Sequence, residues 1–285
     1  MTRDPMHDPM TGPCPFSIII PAHNEQDYIG PCLDALLAQE GAPQGGEVLL
    51  MANACTDATI ARALPYKPLF QRLGWKLRLL RVPPPGKIHA LNCSDKAASG
   101  AVLIYLDADV ICTPRLIGQL CEALDTSEPR YGSGTLQIAP AQTWITRQYA
   151  ATWAALPFMQ SPAVGAGLFA VNRAGRARWD AFPDIISDDT FVRLQFEPDE
   201  RIEVEARYIW PLVEGFANLV KVRRRQDAGV IEIDAKFPGL LAREAKAPID
   251  YKSLFLRNPV SFLCYSAVKL AVKLRPQEAS WTRGR

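Results

Sequence analysis

Residues 101–109 read Ala-Val-Leu-Ile-Tyr-Leu-Asp-Ala-Asp, an apolar run that stops on two carboxylates, Asp107 and Asp109. A run that is apolar at every position predicts a strand covered on both faces, as in a parallel sheet between helices. The pattern recurs toward the N-terminus at Phe16–Ile20, stopped by Pro21, then at Val48–Met51 and Leu77–Val82. Between these strands, Ile29, Cys32, Leu33, Leu36 and Leu37 fall at helical spacing. A short helix is expected near Thr59–Leu64, and Lys87–Ser99 reads as a helix ending at Gly100. Strand and helix alternate four times with short connections. The expected fold is therefore α/β, a mainly parallel sheet with helices on both faces.

The second half is less regular. Ala141–Gln160 reads as helical, Gly165-Ala166-Gly167 precedes the apolar run Leu168–Val171, and Asp188-Asp189 opens a helical stretch to about Phe196. Residues 201–232 are expected to alternate short β-like pieces with polar loops, and Ser253–Leu274 to form an amphipathic helix. With no linker or repeat between the halves, one domain with a helical C-terminal extension is the simplest organisation. Its expected parts are a flexible leader (1–15), two halves (16–112 and 113–235) and the extension (236–285).

Composition bounds the class. The chain has 285 residues, 48% hydrophobic and 22% charged, which suits a full core and excludes a disordered chain. A net charge of +2 gives no global field for nucleic acid, and no such partner is expected. The balance is uneven: residues 1–200 hold 16 Lys and Arg against 21 Asp and Glu, and residues 201–285 hold 16 against 9. A basic tail points to an anionic ligand group or an anionic surface. Seven cysteines at irregular spacing, without a CxxC, read as reduced buried thiols rather than disulfides or a zinc site. The first 15 residues carry acids and prolines with no apolar core, unlike a signal peptide. No run approaches the ~18–20 apolar residues that span a bilayer. The expected location is the cytosol or the cytoplasmic membrane face.

In parallel α/β sheets, ligands bind beyond the carboxyl ends of the strands. The polar residues there are His23, Asn24, Glu25, Asn53, Asp57, Lys87, Asp107 and Asp109. Asp107 and Asp109, two residues apart past a buried strand, repel unless a cation intervenes. A hard divalent ion relieves that repulsion and takes substrate phosphate oxygens as its remaining ligands. An Asx turn capping the next helix is the plainer reading. Lys87 could meet a phosphate at a helix N-terminus, or be a solvated lysine. Asp57 could accept from a base edge, or be an N-cap.

Four segments in order are Ile20-Pro21-Ala22-His23-Asn24-Glu25, Asn53-Ala54-Cys55-Thr56-Asp57-Ala58-Thr59, Gly86-Lys87-Ile88-His89-Ala90-Leu91-Asn92 and Leu106-Asp107-Ala108-Asp109. Together they closely resemble the family 2 glycosyltransferases of the GT-A fold, over about residues 14–230. The resemblance implies an inverting, metal-dependent transferase using a nucleotide-sugar donor, a UDP-sugar first among the candidates. It makes 16–112 the nucleotide-sugar-binding half and 113–235 the acceptor and catalytic half. It implies that Ala22, Asn24, Glu25 and Asp57 hold base and ribose. Asp107 would contact ribose or metal-bound water, and Asp109 would ligate Mn²⁺ or Mg²⁺. The donor site so implied comprises Pro21, Ala22, Asn24, Glu25, Asn53, Asp57, Lys87, Asn92, Asp107, Ala108 and Arg225, and the metal site Asp109 and Asp107. The acidic pair Asp188-Asp189 matches the family's acidic pair, which implies that Asp189 is the general base. A carboxylate in reach of the acceptor hydroxyl can take its proton. Asp188 would raise the basicity of its neighbour or cap the helix.

The family's processive members carry Gln-x-x-Arg-Trp late in the chain. Here that stretch is Val222-Arg223-Arg224-Arg225-Gln226, which keeps only the arginine. Single-sugar transfer is therefore expected, with Arg225 in a diphosphate clamp. The acceptor stays open among a glycan, a lipid-linked sugar and a small molecule. The segment Pro259–Leu274, with its lysines and neighbouring arginines, either lies on an anionic membrane surface or packs on the catalytic domain. Three other classes compete with this reading. Gly165–Ala170 fits the dinucleotide pattern G-x-G-x-x-A but leads into a strand, so it reads as chance. His23-Asn24-Glu25 mimics a zinc deaminase, but no P-C-x-x-C follows. A non-catalytic sensor or scaffold that binds a nucleotide sugar is the remaining alternative, and the retained Asp107, Asp109 and Asp189 argue against it.

Overall fold

The structure is a computed structural model that describes residues 14–244 and 247–274. The expected leader and the last eleven residues therefore lie almost wholly outside the described residues. Among the described residues, eight strands form one sheet: β1 (Phe16–Ala22), β2 (Glu47–Asn53), β3 (Lys76–Val82), β4 (Val102–Leu106), β5 (Ile111–Cys112), β6 (Tyr131–Ile138), β7 (Leu168–Asn172) and β8 (Arg201–Trp210). Their order is β3-β2-β1-β4-β7-β6-β8-β5. The first four are parallel, as the apolar runs predict. Beyond β4 the sheet is mixed, because β7 lies antiparallel to both β4 and β6, while β6 and β8 run parallel.

Each central strand splits its side chains between two cores. Ile18, Ile20, Val48, Leu50, Ile104 and Leu106 face one side. There they meet α1 (Ile29–Leu37) through Cys32 and Leu33, and α5 (Leu116–Ala123) through Ile117 and Leu120. Ile19, Leu49, Met51, Leu103 and Tyr105 face the other. That side is closed by α4 (Lys87–Ala97), through Ala90 and Leu91, and by α8 (Asp188–Arg193), through Phe191 and Val192. Short helices α2 (Thr59–Ala63), α3 (Lys67–Arg72) and α7 (Arg173–Arg176) complete the connections.

A third apolar cluster lies off the sheet. It joins α6 (Trp144–Ala154), α9 (Phe216–Lys236) and α11 (Pro259–Leu274) through Tyr149, Trp153, Leu219, Val220, Tyr265 and Val268, with α10 (Tyr251–Arg257) beside them. This corrects the reading of residues 201–232 as short β-like pieces. They form one ten-residue strand and then most of a 21-residue helix. The β-branched residues of α9 suggest strand, but packing of Leu219, Val220 and Ile233 overrides that preference. Gly165 and Gly167 are required by geometry, since both sit near φ +74 where the chain turns into β7. A Cβ on Gly167 would come within 2.6 Å of the Trp210 ring.

Candidate active site

The carboxyl ends of β1, β2 and β4, the start of α4, the end of β8 and one face of α9 enclose a cavity of about 260 Å³. Pro21, Ala22, His23, Glu25 and Asn53 line one side, with Gly86 and Lys87 from α4 beside them. Asp107, Ala108 and Asp109 form the floor, where Ala108 is buried between two half-buried carboxylates. Trp153, Trp210, Leu212 and Leu219 supply an apolar wall, and Arg223, Arg225 and Gln226 a polar one. A larger open groove of about 920 Å³ lies at the opposite, amino ends of β1 and β4, around Pro15, Val102 and Asn172. We locate the chemistry in the smaller cavity, because there the strand ends gather the carboxylates and the lysine, as expected of an α/β sheet.

Behind the cavity lies a recess of about 20 Å³, lined by Asp188 and Asp189 at the start of α8. Lys87, Asp107 and Pro21 line both spaces. The Lys87 ammonium lies 3.3 Å from Asp107 Oδ1 and 3.1 Å from Asp188 Oδ2. Burial would lower its pKa, but the charges of Asp107, Asp188 and Asp189 outweigh burial and raise it, so Lys87 is firmly cationic. Desolvation, then the charge of Asp188, pushes the Asp189 carboxyl up to about 6, against the opposing pull of Lys87 and the Thr190 amide. The Thr190 N–H donates to Asp189 Oδ1 at 2.7 Å. The backbone N–H of Asp107 donates to the Gly167 carbonyl at 2.8 Å, tying the floor to the β7 turn.

Several anticipated donor residues spend their polar atoms on the loops themselves. Asn53 donates to the carbonyls of Val82 and Pro84 and accepts from the Gly86 N–H at 2.6 Å, which shapes the turn that presents Lys87. Asn24, at φ 55, accepts from the Thr56 and Asp57 amides. Asp57 accepts from the Thr59 amide and hydroxyl and from the Gln26 amide. Burial would raise its pKa, but these hydrogen bonds hold it low. Asn24 and Asp57 thus staple the β1 and β2 loops together and do not line the cavity. Asn92, also expected in the donor set, is bonded in the same way. Its amide exchanges two hydrogen bonds with the Phe182 backbone, pinning the segment that leads into α8, away from the cavity. The sequence reading missed the wall residues Tyr149, Trp153, Trp210 and Leu219. Nothing in their spacing sets them apart from core residues, and the paths of α6, β8 and α9 turn them to the cavity.

Among the described residues no three or more His, Cys, Asp or Glu form a group that could hold a metal by themselves. None of the described helices is long and apolar enough to cross a membrane.

Comparison with known proteins gives a consistent picture. Residues 17–164 match the family described as Glycosyl transferase family 2. The glycosyltransferase AglE of Haloferax volcanii is 34% identical over 106 residues, covering 37% of this chain and 33% of that protein. The chain thus matches about a third of the length of that curated relative. Among solved structures, the mannosyltransferase PcManGT from Pyrobaculum calidifontis, in complex with GDP-Man and Mn²⁺, superposes with a TM-score of 0.58 at 22% identity. That match covers 95% of this chain and 78% of the other. Glucosyl-3-phosphoglycerate synthase from Mycobacterium tuberculosis, with Mn²⁺, UDP and glucosyl-3-phosphoglycerate, has a TM-score of 0.51 at 20% identity, covering 82% and 81% of the two chains. These likenesses show the shared α/β architecture.

Proposed function

The chain belongs to glycosyl transferase family 2, and on that premise we propose that it moves one sugar from a nucleoside-diphosphate donor to an acceptor hydroxyl, with inversion at the anomeric carbon. The observation that carries this reading is the convergence on Lys87. One ammonium pairs with Asp107 at the end of β4 and with Asp188 at the start of α8. Donor side and acceptor side therefore meet at one residue.

A UDP-sugar is the donor we favour. The loops stapled by Asn24, Asn53 and Asp57 build the end of the cleft for base and ribose, together with Pro21, Ala22 and Glu25. Asp109 and Asp107 fit a Mn²⁺ or Mg²⁺ ion, because two oxygen donors facing an open cavity suit a hard cation that fills its shell from phosphate oxygens. When bound, such an ion would offset charge on the diphosphate. Lys87 and Arg225 face that charge from two walls. Asp189 accepts the proton of the acceptor hydroxyl as its oxygen bonds to the anomeric carbon. The bond from the anomeric carbon to the diphosphate oxygen breaks, and its electron pair leaves with the nucleoside diphosphate. The acceptor is a glycan, a lipid-linked sugar or a small molecule, and one sugar is added per acceptor.

We place the protein in the cytoplasm, in peripheral contact with an anionic membrane face. Residues 251–274 carry Lys252, Arg257, Lys269 and Lys273 and no acid. On α10 and α11, Leu256, Leu263, Leu270 and Leu274 are 56–74% exposed. Tyr265 and Val268 meanwhile pack inward, so the same helix serves the core and offers an outer apolar face. Flotation with anionic vesicles should lose the protein when Leu263→Glu and Leu270→Glu are combined, and equal flotation removes the membrane contact.

Differential thermal stabilisation by UDP-, GDP- and dTDP-sugars with Mn²⁺ tests the central reading. One donor should raise the melting point in a metal-dependent way. No response to any of them would sink the proposal.

A further inference from the structure

Asp188 is buried, with 6% of its side chain exposed, and it does not line the cavity proposed for the donor. Its neighbour Asp189 suffices as a base. A second buried carboxylate beside a base is costly, because like charges in a desolvated recess repel and each needs a partner. Asp188 has one in the Lys87 ammonium at 3.1 Å. Lys87 has a second partner in Asp107, at 3.3 Å, whose side chain is 37% exposed. The two partners are therefore unequal. Asp188 is fixed at the first turn of α8, and Asp107 stands on the cleft floor among the groups that fit a cation.

We propose that Asp188 is a positioning residue that acts on the donor's diphosphate through Lys87. Its buried carboxylate anchors the ammonium on the acceptor side of the cleft. A cation bound at Asp107 and Asp109 then leaves Lys87 held where it can face the phosphates. Without Asp188, the remaining ion-pair contact of Lys87 is Asp107, with Asp189 acting on it through charge alone, and the ammonium then competes with a metal for the Asp107 carboxylate. The inference rests on the reading of the cleft as a nucleotide-sugar site. It gives the two acids of the pair different tasks: Asp189 serves the acceptor, Asp188 the donor.

The test is calorimetric titration of UDP and GDP, each with Mn²⁺, alongside uridine and guanosine. The proteins are wild type, Asp188→Asn, Lys87→Met, the double variant and Asp188→Glu. Asp188→Asn should weaken binding of the diphosphate about tenfold, ~1.4 kcal/mol, and leave nucleoside binding unchanged. Lys87→Met should do the same, and the double variant should be no weaker than Lys87→Met alone, since one interaction is removed either way. Asp188→Glu keeps the charge and should restore most of the affinity. A merely structural Asp188 would lower the melting point and weaken nucleoside and diphosphate alike. That result overturns the inference, as does additivity in the double variant or a diphosphate affinity unchanged in Asp188→Asn. Should Asp188→Asn fold poorly, Asp188→Ser against Asp188→Glu carries the same comparison. If wild type binds neither diphosphate, the glycosyltransferase reading fails first.

Discussion

Replacing Asp189 by Asn should stabilise the protein while abolishing turnover, and the gain should depend on pH. Desolvation in the recess and the charge of Asp188 raise the Asp189 carboxyl from an ordinary 3.8 to about 6. A folded-state pKa above the unfolded one means that the folded protein holds the proton more tightly. Stability therefore falls as pH rises from about 4 to about 6, and the full cost is present above that window. At ~1.4 kcal/mol per pH unit, the gap gives a ceiling of about 3 kcal/mol at neutral pH. Partial solvent access at Asp189 brings the expected gain below that, to about 1–2 kcal/mol. Asparagine can keep the hydrogen bond from the Thr190 amide, so little else changes. Urea denaturation of both proteins at pH 7.5 and pH 4.5 reads the difference. The variant should be more stable at the higher pH, and the advantage should shrink at the lower. Equal stability at both, or a loss at pH 7.5, would show that Asp189 is not held charged at a cost, and the argument for a tuned base would fall with it.

Other expectations follow from the same geometry. The pH profile of kcat/KM should rise with pH through about 6, where Asp189 loses its proton, and a flat profile down to pH 5 would exclude it as the base. Asp109→Asn should lose the metal-dependent part of diphosphate binding, measured by thermal shift with and without Mn²⁺, while Asp189→Asn keeps it. Products resolved by mass after a long incubation should carry one added sugar, and a ladder would refute single transfer. Gly100→Ala should cost at least about 1–3 kcal/mol in urea, because its Cβ would sit 2.2 Å from the Ser17 backbone nitrogen, which cannot step aside.

Much of the N-terminal half was legible because its strands are buried on both faces and therefore spell themselves as unbroken apolar runs. Ile18–Ile20, Val48–Met51 and Val102–Leu106 need no context to be read. Parallel order then places their last residues at one edge, so the carboxylates and the lysine could be found by position. The mixed half hid itself. β6 contains Gly132 and Gly134, which look like loop, yet a Cβ at Gly134 would meet Leu116 and the Ala206 carbonyl. In α9, Leu219, Val220, Gly229 and Ile233 bury against different neighbours and make no single stripe. At the site, a sequence shows an amide or a carboxylate but not what it will bond. Asn92 is absorbed by Phe182, Asn53 by the turn before α4, and the partnership of Lys87 with Asp188 exists only because β4, α4 and α8 meet at one edge.

The last of the described helices also limits how the protein can be handled. α11 leans on α6 through Tyr265, Val268 and the hydrogen bond from Ser261 to Gln148, and on α9 beside it. Those two helices form the far bank of the cleft, with Trp153, Leu219 and Arg225 on it. Cutting α11 away unmoors that bank as well as removing a surface, so a shortened protein confounds attachment with catalysis. Point changes on the outward leucines keep the mooring intact, so they separate attachment from catalysis.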